Sequence, residues 1–126
     1  MMETFCTPGE SGRRTVAFAE CGSFCTFEKA VPMAGELRRL GWEVLPVMSW
    51  SAAGQDTRFG KAADWKMELY RQTGHEVIDT LQGAEPLGPR RLADVLVIAP
   101  CTGTTLARLA LGLSDTPVTL AAKSLL

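Results

Sequence analysis

Asp94-Val-Leu-Val-Ile-Ala-Pro-Cys-Thr-Gly-Thr-Thr105 decides the fold. After Asp94 comes an unbroken apolar run to Ala99, the pattern of a strand buried on both faces of a parallel sheet. Ala99-Pro-Cys-Thr-Gly-Thr-Thr105 is then a turn that opens a helical pattern. An earlier stretch repeats the plan. Thr15-Val-Ala-Phe-Ala19 is a short apolar strand, Glu20-Cys-Gly-Ser-Phe-Cys-Thr26 is a glycine turn, and a helical pattern follows. Two such units put both turns at the carboxyl edge of one parallel sheet, where open α/β sheets take their ligands.

The rest of the chain continues the alternation. From Thr26 to Leu40, Phe27, Val31, Ala34, Leu37 and Leu40 recur at helical steps and Gly41 is placed as the stop. Pro32 within that span predicts a kink or an irregular first turn. Glu43 to Met48 is the second strand, in which Pro46 removes a ladder hydrogen bond. Ser49 to Gly60 reads as a long loop, Ala62 to Gln72 as a helix ended by Thr73-Gly74, and Glu76 to Thr80 as a short third strand. Two prolines and a glycine argue against regular structure from Ala84 to Arg90. Thr104 to Leu113 is a helix, and Pro117 opens another, capped by Thr116 or Asp115. The order β-α-β-α-β-β-α-α predicts an α/β fold. The expected architecture is a three-layer, doubly wound parallel sheet of flavodoxin or Rossmann type. No strand follows the helix from Pro117 to Leu126, which leaves Asp94 to Ala99 with an open edge. The expectation is a domain truncated at its C-terminus or completed by a partner, spanning 15–126 behind a flexible segment over 1–14.

At 126 residues the chain makes one domain with a real core. Thirteen basic and fourteen acidic residues give a net charge of -1 without a basic block, which argues against a nucleic-acid partner. No apolar run approaches the ~20 residues that span a bilayer. Met1 to Arg14 lacks the apolar core of a signal peptide, so a cytoplasmic location is expected. Cys6, Cys21, Cys25 and Cys101 fit neither a disulfide framework nor a zinc site, and His75 is the single histidine. The cysteines beside the turns read as small packing residues.

The turns carry the candidate chemistry. Gly22 and Gly103 let the backbone approach a ligand, and Ser23, Thr26, Thr102, Thr104 and Thr105 set hydroxyls beside helix starts, an environment suited to phosphate. Ser49 ends the second strand on the same edge. The two loops read as a nucleotide-type or flavin-type site. Gly22, Ser23, Cys25 and Thr26 also fit an ordinary strand-to-helix turn with Ser23 as cap. Arg58 suits bidentate pairing with a carboxylate, or else is a solvated loop charge, as Arg90 and Arg91 are expected to be. Trp42, Trp50 and Trp65 read as packing residues, with Trp50 alone near enough to the edge to meet a ring. His75 is expected on the surface, away from that edge.

Five segments occur together in order: Gly-Ser-Phe-Cys-Thr-Phe-Glu (22–28), Asp-Thr-Arg-Phe-Gly-Lys (56–61), Ala-Glu-Pro-Leu-Gly-Pro (84–89), Val-Ile-Ala-Pro-Cys-Thr-Gly (97–103) and Ser-Asp-Thr-Pro-Val-Thr-Leu-Ala-Ala-Lys (114–123). The set resembles the dipicolinate synthase B-subunit branch of the flavoprotein superfamily, which also holds flavin-dependent cysteine decarboxylases and flavin prenyltransferases. The likeness covers about Thr15 to Leu126, and the second and third segments are the ones particular to that branch. Members of the branch continue past the equivalent of Leu126.

The resemblance implies FMN held by Gly22, Ser23, Cys25, Thr26 and Ser49 from one side, and by Pro100, Thr102, Thr104, Thr105 and Asp115 from the other. It implies work with the dehydrogenase-like A subunit of the synthase, which carries NAD(P), in oxidising dihydrodipicolinate to dipicolinate in the mother cell of a sporulating bacterium. Arg58 would meet this dicarboxylate substrate, and a homo-oligomer is expected. Three departures bear on this. Glu20-Cys21 stand where relatives have Leu-Thr, and a carboxylate there opposes a phosphate by about 1 kcal/mol at contact in water. Thr104 stands where flavoproteins carry an asparagine. Glu85-Pro86 stand where the decarboxylases carry a proton-transferring histidine, which disfavours that chemistry. The alternatives are a self-sufficient FMN-dependent decarboxylase or prenyltransferase, and a ligand-free interaction subunit.

Overall fold

The computed structural model describes residues 14–126. The segment expected over 1–14, Cys6 included, lies outside the described residues except for Arg14. β1 (Thr15–Glu20), β2 (Glu43–Met48) and β3 (Val95–Ile98) form a parallel sheet in the order β2-β1-β3. Thr15 pairs with Glu43 at one end of the β1–β2 ladder and Glu20 with Met48 at the other. On the opposite edge Val16 to Ala19 pair with Val95 to Ile98.

Strand alternation sends successive β1 side chains to opposite faces and so builds two cores. Val16 and Phe18 join Phe27, Val31 and Ala34 of α1 (Phe27–Arg39) and Leu69 of α3 (Ala62–Thr73). Ala17, Ala19 and Cys21 join Val118 and Ala121 of α6 (Pro117–Leu125), with Ala84 and Leu87 beneath. Phe18 and Phe27 are fully buried, each contributing about 2 kcal/mol. Helices thus cover both faces, and the three-layer parallel architecture expected from the sequence is present. β3 is less covered: Leu96 and Ile98 pack toward α6, while Val95 and Val97 on its other face are exposed.

Residues 76–80 are not a strand but an isolated parallel bridge of Ile78 to Val47. Ile78 N donates to Pro46 O at 2.8 Å, and Met48 N donates to Ile78 O at 2.9 Å. The next rung of a parallel ladder would run from the nitrogen of residue 46 to the carbonyl of residue 76, and proline has no hydrogen to give. Pro46 therefore faces outward from the β1–β2 ladder and stops the third strand at one bridge. The expected loop 49–60 contains α2 (Trp50–Gly54), and Thr57 and Gly60 then close a tight turn. The stretch 84–90 is more regular than expected. α4 (Leu81–Ala84) runs into a 3-10 turn over Glu85–Leu87, in which Pro86 takes an early position that needs no N–H. A 3-10 turn over Phe24–Thr26 precedes α1, with Pro32 inside the helix. α5 (Gly103–Ala110) starts and stops a little before the sequence pattern does.

Candidate functional site

Three of the helix starts near the carboxyl edge of the sheet are capped by a hydroxyl and open on one pocket. Ser49 Oγ accepts from Ala52 N at 3.2 Å, Thr102 Oγ1 from Thr105 N at 3.1 Å, and Thr116 Oγ1 from Thr119 N at 3.2 Å. The third is a full capping box, since Thr119 Oγ1 accepts from Thr116 N in return. Ser49, Thr102 and Thr116 all line one open pocket of about 340 Å³, together with Gly22, Phe24, Trp50, Ser51, Gln55, Thr104, Thr105 and Arg108. Helix starts carry partial positive charge, so their convergence with an arginine makes the pocket attractive to an anion.

Side-chain size keeps the pocket open at the first turn. A Cβ on Gly22 would come within 3.0 Å of Ser51 Cβ, so any larger residue there would press the turn against α2. Phe24 and Trp50 supply flat apolar surface. Trp50 is half exposed, and its indole N–H donates to Asp79 O at 3.1 Å, which fixes the ring beside the pocket. Arg108 Nη1 donates to both carboxylate oxygens of Asp115, at 2.8 and 2.6 Å.

Of the residues singled out from sequence, Gly22, Ser49, Thr102, Thr104 and Thr105 come together in this pocket. Ser23, Cys25, Thr26, Pro100 and Asp115 stand around it without lining it. Ser23 makes no side-chain cap; its carbonyl accepts from Thr26 N and from Thr26 Oγ1, so the Thr26 hydroxyl is used locally. Cys25 is exposed, and Pro100 O accepts from Cys21 N at 3.0 Å, joining the two turns. Asp115 does not cap α6, a task that falls to Thr116, and instead holds Arg108. Arg58 is at the tip of the Thr57–Gly60 turn with its guanidinium 4.9 Å from the Phe59 ring centre, apart from the pocket. Its neighbour Asp56 accepts from Ala62 N and so begins α3. His75 bonds to Glu43 at the start of β2, the end of the sheet opposite the pocket.

Glu20 overturns one expectation. Its side chain is fully buried at the end of β1, and neither carboxyl oxygen has a hydrogen-bond partner among the described residues. Burial pushes its pKa up to about 8, so the group is largely neutral at pH 7. A neutral carboxyl that does not line the pocket offers no repulsion to a phosphate. Burial also pushes the neighbouring Cys21 thiol up, and a hydrogen bond from Thr105 works against that shift.

Sequence reasoning missed Phe24, Ser51, Gln55, Arg108 and Thr116 as lining residues. Thr116 and Arg108 had a legible signal. A Thr-Pro pair opening a helix after the third βα unit, and an arginine in the last turn of the helix before it, both belong to the segment that follows the Ala99–Thr105 turn.

The flavoprotein family model matches residues 5–126. The chain belongs to the flavoprotein family. The B subunit of dipicolinate synthase from Bacillus subtilis (strain 168) is 42% identical to this flavoprotein over 113 residues, which are 90% of the chain and 56% of that relative. The crystal structure of the dipicolinate synthase B subunit from Bacillus halodurans superposes with a TM-score of 0.76 at 33% identity, covering 89% of this chain and 57% of that one. The FMN-dependent cysteine decarboxylase SpaF gives a TM-score of 0.70 at 25% identity, covering 88% of this chain and 62% of that one. This flavoprotein chain therefore spans somewhat more than half the length of these relatives.

Proposed function

We propose that this flavoprotein acts as the B-type subunit of a dipicolinate synthase, together with a dehydrogenase-like A-type subunit that carries the nicotinamide. The reaction is oxidation of dihydrodipicolinate to dipicolinate, in the cytoplasm of a sporulating cell. The observation that carries the reading is the convergence of the Ser49, Thr102 and Thr116 helix starts on one pocket, in a chain 42% identical to the B subunit of a dipicolinate synthase.

The pocket suits FMN. Gly22 leaves a cradle against Ser51 that a Cβ would fill, the cap hydroxyls suit the phosphate, and Phe24 and Trp50 suit the flat ring. Bound there, a flavin supplies two-electron redox chemistry. The chain's own residues bind and orient the ligand: hydroxyl and amide N–H groups take its anionic end, and the aromatic pair excludes water from one side.

A self-sufficient decarboxylase is the weaker reading despite the likeness to SpaF. The chain's one histidine, His75, is bonded to Glu43 at the far end of the sheet, so no imidazole stands by the pocket to move a proton.

The deciding experiment mixes this chain with its dehydrogenase-like partner, dihydrodipicolinate and a nicotinamide cofactor, and follows dipicolinate by ultraviolet absorbance. The pair is expected to form product faster than either protein alone. No gain over the partner alone would overturn the assignment.

A further inference from the structure

We infer that Arg108, oriented by Asp115, is the anion-reading residue of the pocket, engaging a carboxylate or phosphate group of the ligand through its Nε–Nη2 edge. The inference rests on the reading of this pocket as the ligand site. Three observations carry it.

Among the described residues, Arg108 is the one cation that lines the pocket, and no carboxylate lines it. Asp115 pairs with the guanidinium from outside the lining, so within the cavity the cation stands among hydroxyls and helix starts with no carboxylate to oppose an anionic ligand.

Asp115 takes hold of the arginine in a particular way. Both carboxylate oxygens accept from the same nitrogen, Nη1. The paired fork that two guanidinium nitrogens make with two oxygens is not used here. Nε and Nη2 make no hydrogen bond among the described residues, and together they form the side edge of the guanidinium, which matches two oxygens of a carboxylate or phosphate. Asp115 thus fixes the group without consuming the edge best suited to a ligand.

The pair also sits where α5 and α6 meet the pocket. Arg108 lies on α5 beyond the Thr102 cap, and Asp115 directly precedes the Thr116 cap of α6. This contact through Nη1 therefore sets the arginine relative to two of the three capped helix starts. Asp115 acts through Arg108 and is a positioning residue.

The test titrates the full chain with FMN, riboflavin and pyridine-2,6-dicarboxylate, followed by flavin and tryptophan fluorescence, for the wild type, Arg108→Gln, Arg108→Lys, Asp115→Asn and the double variant. Arg108→Gln is expected to weaken the anionic probes by about ten-fold or more and to leave riboflavin unchanged. Arg108→Lys restores only part of the loss, because an ammonium keeps the charge but not the edge. Asp115→Asn weakens the same probes less, and adds nothing once Arg108 is gone. Loss for FMN alone assigns the phosphate to Arg108; loss for the dicarboxylate alone assigns a carboxylate. Undiminished binding of both anions to Arg108→Gln overturns the inference, and so does an Asp115→Asn loss that persists in the double variant. If FMN, riboflavin and the dicarboxylate all bind equally well whatever stands at 108, this inference falls and the pocket reading stands. If it binds none of the probes, both fall.

Discussion

Thr105 Oγ1 donates a hydrogen bond to the Cys21 sulfur at 3.1 Å, across 84 residues of sequence. Thr102 Oγ1 donates in turn to Thr105 Oγ1 at 3.0 Å, so a short relay runs from the cap of α5 to the end of β1. With the Cys21 N to Pro100 O bond it ties the turn after β1 to the turn after β3. Thr105→Val keeps the shape and removes the relay. It is expected to cost about 1 kcal/mol of unfolding free energy, read by urea denaturation. Thr105→Ser should recover most of it. A valine variant as stable as the wild type would show that the relay contributes nothing.

Glu20 makes stability depend on pH. Its folded pKa of about 8 lies above the ordinary value of 4.5, so between these the folded state binds more protons than the unfolded one. Stability is therefore complete below about pH 4.5 and declines as pH rises toward 8, at up to about 1.4 kcal/mol per pH unit. Glu20→Gln is expected to flatten that slope, and to be the more stable protein at pH 8. Parallel slopes for the two proteins in denaturation series from pH 5 to 9 would contradict this account.

Gly88 and Gly103 should respond oppositely to alanine. A Cβ on Gly88 would fall 1.7 Å from the Ser124 carbonyl oxygen, where Ser124 Oγ also accepts from Gly88 N and donates to Glu85 O. Gly88→Ala pushes α6 off the second core and should lose about 2–3 kcal/mol. Nothing stands within 4 Å of a Cβ on Gly103, the first residue of α5, and Gly103→Ala should be neutral or slightly stabilising. Thermal melts of the two variants check the contrast.

Val95 and Val97 present an apolar face on a strand whose outer edge is unpaired among the described residues. Replacing both with threonine keeps the strand preference and is expected to change stability by less than about 1 kcal/mol. Self-association should fall. Light scattering of the two proteins at matched concentration tests it, and equal association would remove β3 as the cause.

The strands β1 and β2 are legible in the sequence because apolar runs flanked by Gly41 and by the turn at Gly22 leave little freedom. The third strand is not, because its length depends on a partner: Glu76 to Thr80 has strand composition, but Pro46, thirty residues earlier, withholds the next rung. Glu20 reads as a charge because sequence shows residue type and not depth. Alternation along β1 carries the correct signal, since Val16, Phe18 and Glu20 share a face. The pocket is half legible. Turns that follow strands identify themselves, whereas Gln55 reaches the same edge from the end of α2, through packing that no local pattern records.

The strand in the middle of the sheet is the first of the three to be made. β2 follows it after one helix, but β3 comes only after three more. At ~5–20 residues per second, one edge of β1 waits on the order of ten seconds for its partner during synthesis. Throughout that interval Glu20 and Cys21, hidden in the finished domain, lie at the open end of an unpaired strand. There Glu20 is solvated and keeps the ordinary carboxylate pKa of 4.5, so it enters the finished domain only by taking up a proton as burial raises that value.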